Sequence, residues 1–106
     1  MPKYLFEASY STEGVEGVKS KGGTSRSEAV AAMAEGLGGS LESFYFAFGD
    51  PDAYVVVDLP DNEAAAACAL TVNSTGAVSV KTAVLMTPEE VDSAAEKSVS
   101  YTPPGG

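Results

Sequence analysis

The chain predicts an α+β domain: a four-stranded antiparallel sheet with helices packed on one side. Three observations lead there. Residues 3 to 10, 41 to 48, 53 to 59 and 77 to 86 read with period two, so successive side chains stand on opposite sides of a sheet. Segments with helical spacing and cap residues lie between the first and second of these stretches and between the third and fourth. The second and third are joined only by Gly49-Asp50-Pro51-Asp52, which reads as a hairpin turn because proline fixes one dihedral and its neighbours suit tight geometry. The order is strand, helix, strand, strand, helix, strand, with one more helix at the end.

Each element has its own local signal. After the first strand, Ser11 and Thr12 can cap a short helical stretch, which Lys21, Gly22 and Gly23 break in a flexible joint. Ser25 and Glu28 have capping-box spacing for the next helix, and Val30, Met33, Ala34 and Leu37 make one apolar stripe that stops at Gly38 and Gly39. Leu59-Pro60-Asp61 closes the third strand, with Asp61 as cap of a helix running to about Val72. Alanines at 64 to 67 and 69 let that backbone lie close to the sheet, with Leu70 and Val72 as larger anchors. Asn73 to Gly76 ends it, and the fourth strand runs to Met86. Thr87, Pro88 and Glu90 start a C-terminal helix, with proline at its first position and a capping-box glutamate. The domain is expected over residues 1 to 97 and a tail over 98 to 106, where two prolines and two glycines oppose regular structure and Val99 and Tyr101 are available to a neighbour. This is the ferredoxin-like βαββαβ order, with strands expected in the sequence 4-1-3-2 and both main helices on one face.

The two faces of that sheet differ in character. One collects Tyr4, Phe6, Ala8, Tyr10, Phe44, Phe46, Phe48, Val55, Val57, Leu59, Val78, Val80, Val84 and Met86, which is core material. The other collects Leu5, Glu7, Ser9, Ser43, Tyr45, Ala47, Tyr54, Val56, Asp58, Ser79, Lys81, Ala83 and Leu85, too apolar for open water and too polar for a sealed core. Covering ~400 Å² of apolar area there would be worth on the order of 10 kcal/mol before association costs, enough to drive oligomerisation. At least a dimer is expected, sheet facing sheet, with room for a small-molecule ligand between.

Composition narrows the function. Six basic against fifteen acidic residues give a formal net charge of −9, which repels nucleic-acid phosphates and anionic membranes. The absence of histidine removes the commonest general base and transition-metal ligand, and with it His-based hydrolytic triads and zinc sites. Cys68 is the single cysteine, placed in an alanine-rich helix as a small buried hydrophobe, so nothing points to an oxidising compartment. With no signal peptide, no bilayer-spanning run and no basic amphipathic segment, a cytoplasmic location is expected.

The opening Met1-Pro2-Lys3-Tyr4-Leu5-Phe6, the Thr12-Glu13-Gly14 step, Leu37-Gly38-Gly39 leading into Phe44-Tyr45, the Gly49 to Asp52 turn, Leu59-Pro60-Asp61, and Gly76 to Thr82 together resemble the GYD-domain family of small bacterial proteins. The likeness spans roughly residues 1 to 97 and rests on the order of many weak motifs. The family's Gly-x-Tyr-Asp turn is matched at Gly49 and Asp52, while Pro51 stands in place of the tyrosine. The resemblance implies a ferredoxin-like, dimeric α/β-barrel-type domain and little about activity.

Few constellations carry chemistry. Glu7 and Lys81 fall on neighbouring strands of the mixed face, where an ion pair would fix subunit register or, if covered, mark a functional group. Tyr45 and Tyr54 share that face, each offering a ring for contact and a hydroxyl for orientation. Asp50 and Asp52 read as turn formers rather than as a cation site, which needs more oxygen ligands, so no metal is expected. The glycines at 14, 17, 22 and 23 follow no phosphate-loop or dinucleotide pattern, and no cofactor is expected. Arg26, the only arginine, reads as an exposed structural residue that can face an anion across the Lys19 to Lys21 joint. The favoured reading is a small oligomeric binding or interaction module of unknown ligand. A cofactor-independent dimeric α/β-barrel enzyme, an oxygenase, isomerase or dehalogenase with Glu7 or Asp58 as base and Tyr45, Tyr54 or Lys81 as polariser, stands beside it on fold analogy alone, as does a regulatory ligand sensor.

Overall fold

A computed structural model describes the whole chain, Met1 to Gly106. Strands β1 (Lys3–Tyr10), β2 (Ser40–Phe46), β3 (Ala53–Asp58) and β4 (Val78–Leu85) form one antiparallel sheet in the order β2-β3-β1-β4, which read from the other edge is 4-1-3-2. The eight-residue β1 lies inside the sheet, paired with β3 on one side and β4 on the other. Helices α1 (Thr12–Lys21), α2 (Gly23–Gly36) and α3 (Asn62–Ser74) connect the strands, and α4 (Pro88–Ala95) follows the last one.

The core lies between one sheet face and two helices. Tyr4, Phe6, Val55 and Val57 meet Val30 and Ala34 of α2 and Ala65 and Cys68 of α3, with Leu59 sealing the end. A smaller cluster of Ala8, Ala53 and Val78 continues it toward the hairpin. Small residues on α3 bring its backbone down onto the sheet, as the alanine run predicts. The Tyr4 hydroxyl donates to Asn62 Oδ1 at 2.7 Å, giving a buried ring a polar exit at the start of α3.

Caps explain most boundaries. Ser11 accepts from Gly14 N–H and Asp61 from Ala64 N–H, as their positions predict. Thr87 and Glu90 exchange both bonds of a capping box. Helix α2 closes in a Schellman motif: Gly39 N–H bonds the Ala34 carbonyl, Gly38 N–H bonds that of Glu35, and Gly38 takes a φ of 84° that side chains resist. A Cβ at Gly39 would collide with the Asp58 carbonyl, so the entry into β2 needs glycine there.

Five expectations are corrected. Ser25 does not cap α2: a single residue, Gly22 at φ 90°, separates α1 from α2, so the helix starts at Gly23 with no side-chain cap. Strand β2 stops at Phe46, because Phe48 turns to φ 53° and stacks its exposed ring on Phe46 at 5.2 Å. Leu70 is exposed rather than anchoring, since Ala65 and Cys68 hold the inward stripe of α3. Val84 and Met86 are exposed: β4 is an edge strand, paired on one side only, and Met86 lies just past its end. Arg26 is half-buried instead of exposed, lying 6.0 Å over the Tyr10 ring.

Helix α4 buries none of its residues, and everything from Pro88 to Gly106 is exposed. The molecule is accordingly long, 56 by 34 by 22 Å, with a radius of gyration of 16.8 Å. A compact chain of this length has about 13 Å. No helix is long and apolar enough to cross a membrane.

Candidate functional site

The sheet face opposite the helices carries the predicted site residues, and strand register arranges them in rows. Tyr45 pairs with Tyr54, Tyr54 with Glu7, and Glu7 with Lys81, so four side chains from four strands form one line across the sheet. At the usual strand spacing this line spans about 14 Å. Tyr45 is 71% exposed and Tyr54 40%. The next row is Ser43, Val56, Leu5 and Ala83, an apolar strip in which Leu5 and Val56 stay half-buried.

Beyond the strip the face ends in charge. Lys3 Nζ lies 2.7 Å from Glu42 Oε1 and 2.9 Å from Asp58 Oδ1. A register shift between Leu41 and Ser43 accompanies the reach of Glu42 to this lysine, while Leu41 packs on the core. The Glu42 bond, and after it the Asp58 bond, raise the Lys3 pKa above its ordinary value. Lys3 was not among the predicted site residues. The signal was present, since the alternation that puts Leu5, Glu7 and Ser9 on this face also puts Lys3 there.

The expected Glu7–Lys81 ion pair does not form. The two residues stand directly opposite each other, yet the only ion pairs are those of Lys3. Lys81 is exposed on the edge strand, where water and side-chain entropy outweigh a single contact. Asp58 is likewise not a free base, because Lys3 holds its carboxylate. The register therefore brings Glu7, Tyr45, Tyr54 and Lys81 together and leaves Asp58 to the neighbouring triad.

The Gly49, Asp50 and Asp52 turn lies at the hairpin end and is structural. Asp52 Oδ2 accepts from Tyr10 N–H at 2.8 Å, its N–H donates to the Ala8 carbonyl at 2.9 Å, and its carbonyl accepts from Ala47 and Phe48 N–H. One residue thus ties the turn to the end of β1. The Asp50–Pro51 peptide is cis.

A family model described as GYD domain matches residues 4–95 of the chain. The chain belongs to the GYD-domain family. The match takes in all four strands of this GYD domain except Lys3, the first residue of β1, and stops at the end of α4. No curated protein and no solved structure matches it.

A second concavity lies away from the sheet face. Helices α1 and α2 and the adjoining ends of β1 and β4 enclose a groove of about 340 Å³, lined among others by Tyr10, Glu13, Lys21 and Arg26. The guanidinium of Arg26 makes no hydrogen bond or ion pair to the protein, and its Nε is buried without any partner. A buried donor left without an acceptor costs about 1–3 kcal/mol. Arg26 and the Lys19 to Lys21 joint were legible in the sequence but Tyr10 beside them was not, because that proximity depends on how α2 returns over β1.

Proposed function

We propose that this GYD domain is a ferredoxin-like oligomeric binding module, assembled through its open sheet face and holding a small ligand against the Tyr45, Tyr54, Glu7 and Lys81 row. One observation carries the reading: a strip of Val56, Leu5 and Ala83 lies between two polar rows on the face opposite the core, where Leu5 and Val56 are half-buried and Ala83 is exposed. An apolar strip flanked by aromatic and charged side chains has the composition of an interface centre and rim. Tyr45 and Tyr54 supply rigid area with a polar tip, and Glu7 and Lys81 supply unpaired charges of both signs for orientation.

The two halves of the proposal separate by experiment. Assembly predicts a melting temperature that rises with protein concentration, and a Val56→Lys variant whose melting temperature no longer does. Ligand binding predicts that a metabolite panel contains a compound raising the wild-type melting temperature, and that Tyr54→Phe reduces the rise. Concentration-independent melting of the wild type would refute assembly, and a panel without effect on an intact oligomer would leave a purely structural one.

A further inference from the structure

Two unexplained features meet at Arg26. Beneath it, between helices and sheet, lies a gap of about 30 Å³ whose lining is apolar apart from Arg26 itself. Above it is the polar groove between α1 and α2. Tyr10, Arg26 and Val78 line both. A groove carrying three charged side chains and an apolar inner gap thus share one wall, and that wall carries an arginine with a buried, unpartnered Nε.

We infer that this is a binding site for a small carboxylate bearing a short apolar chain, with Arg26 taking the head group and the inner gap taking the chain. Charge favours an anion. The groove is lined by two cations, Lys21 and Arg26, and one acid, Glu13, in a chain whose formal net charge is −9. Glu13 forms no ion pair with either. The fork of donors on a guanidinium matches a carboxylate in two parallel bonds, and the terminal nitrogens of Arg26, which pair with no group of the protein, are the donors that can face the groove. The guanidinium lies 6.0 Å from the Tyr10 ring centroid, at the outer edge of a cation–π contact, which keeps it at the groove wall.

Size limits the tail. A volume of about 30 Å³ corresponds to roughly two water-sized probes, so it accommodates about two methylene-sized groups. The groove itself is at the lower end of the usual range for small-molecule sites, roughly 300–1,000 Å³. The site lies on the helical side of the molecule, so it stands or falls independently of the open sheet face.

The test is titration of isotopically labelled full-length protein with acetate, propionate, butyrate and hexanoate, read by amide shifts, with butanamide and inorganic phosphate as probes of charge and shape. The expected result is shifts centred on Tyr10, Arg26 and Val78, with affinity rising about fourfold per methylene from acetate to butyrate and levelling off at hexanoate. Arg26→Met keeps the stem over Tyr10 and should weaken butyrate binding roughly tenfold or more. Arg26→Lys should recover part of it, which separates loss of the head group from loss of fold. The inference is overturned by no shifts at millimolar butyrate, by equal binding of butyrate and acetate, phosphate or butanamide, or by Arg26→Met binding as the wild type does while folded.

Discussion

The two faces of β1 belong to the same eight residues and have opposite fates. Tyr4, Phe6 and Ala8 are buried under α2 and α3, whereas Leu5, Glu7 and Ser9, one residue out of phase, are only half-buried. The backbone is satisfied on both sides by β3 and β4, so hydrogen bonding does not distinguish the faces. Coverage does. The helical face is completed by α2 and α3, while the open face holds Leu5 and Val56 only half-buried. Residues on the first should govern folding, and residues on the second assembly.

Substitutions break or sharpen that contrast. Leu59 is completely buried, and Leu59→Ala should cost about 2–5 kcal/mol in urea unfolding. Leu5→Ala, by contrast, should leave the unfolding of a dilute sample nearly unchanged and weaken association. A fold that loses as much from Leu5→Ala as from Leu59→Ala in dilute solution would show that the two faces are not distinct. Asp52→Ala removes the acceptor for Tyr10 N–H and should cost about 1–3 kcal/mol, marking the hairpin end as part of the folding unit.

The helical face was legible in the sequence because alternation and cap residues act locally. Ser11, Asp61 and Thr87 each cap the helix they were assigned to, and the period-two reading of Tyr4, Phe6, Val55 and Val57 found the core. Misreadings fall where the outcome depends on distant elements. Val84 alternates like core, but nothing in its own neighbourhood reveals that it sits on an edge strand and stays exposed. Leu70 is the largest side chain in its helix segment, yet the inward stripe follows Ala65 and Cys68. The open-face row was legible in membership but not in pairing, since facing positions bring Glu7 and Lys81 opposite each other without making them bond. Lys3 took the ion pairs because two carboxylates converge on it.

Smaller effects follow. Tyr4→Phe deletes the bond to Asn62 and should cost about 0.5–1.5 kcal/mol. Alkaline pH acts on both faces in one direction. Burial raises the Cys68 thiol pKa, so the unfolded chain ionises first as pH passes about 9.0 and the fold loses stability. The raised pKa of Lys3, due first to Glu42 and then to Asp58, contributes fully below about 10.5 and is lost as pH climbs through its folded value. Melting temperature should therefore be level through neutral pH and fall above about pH 9, with Cys68→Ala delaying the onset. Leu70→Ala, on the exposed side of α3, should change stability by no more than about 0.5 kcal/mol.

The central claim is that the open face is finished by a second copy, and sedimentation velocity of the wild type beside Val56→Lys tests it most directly. The account predicts a dimer or larger at micromolar concentration for the wild type and a folded monomer for the variant. A wild-type monomer throughout that range, or a Val56→Lys oligomer sedimenting as the wild type does, would contradict it.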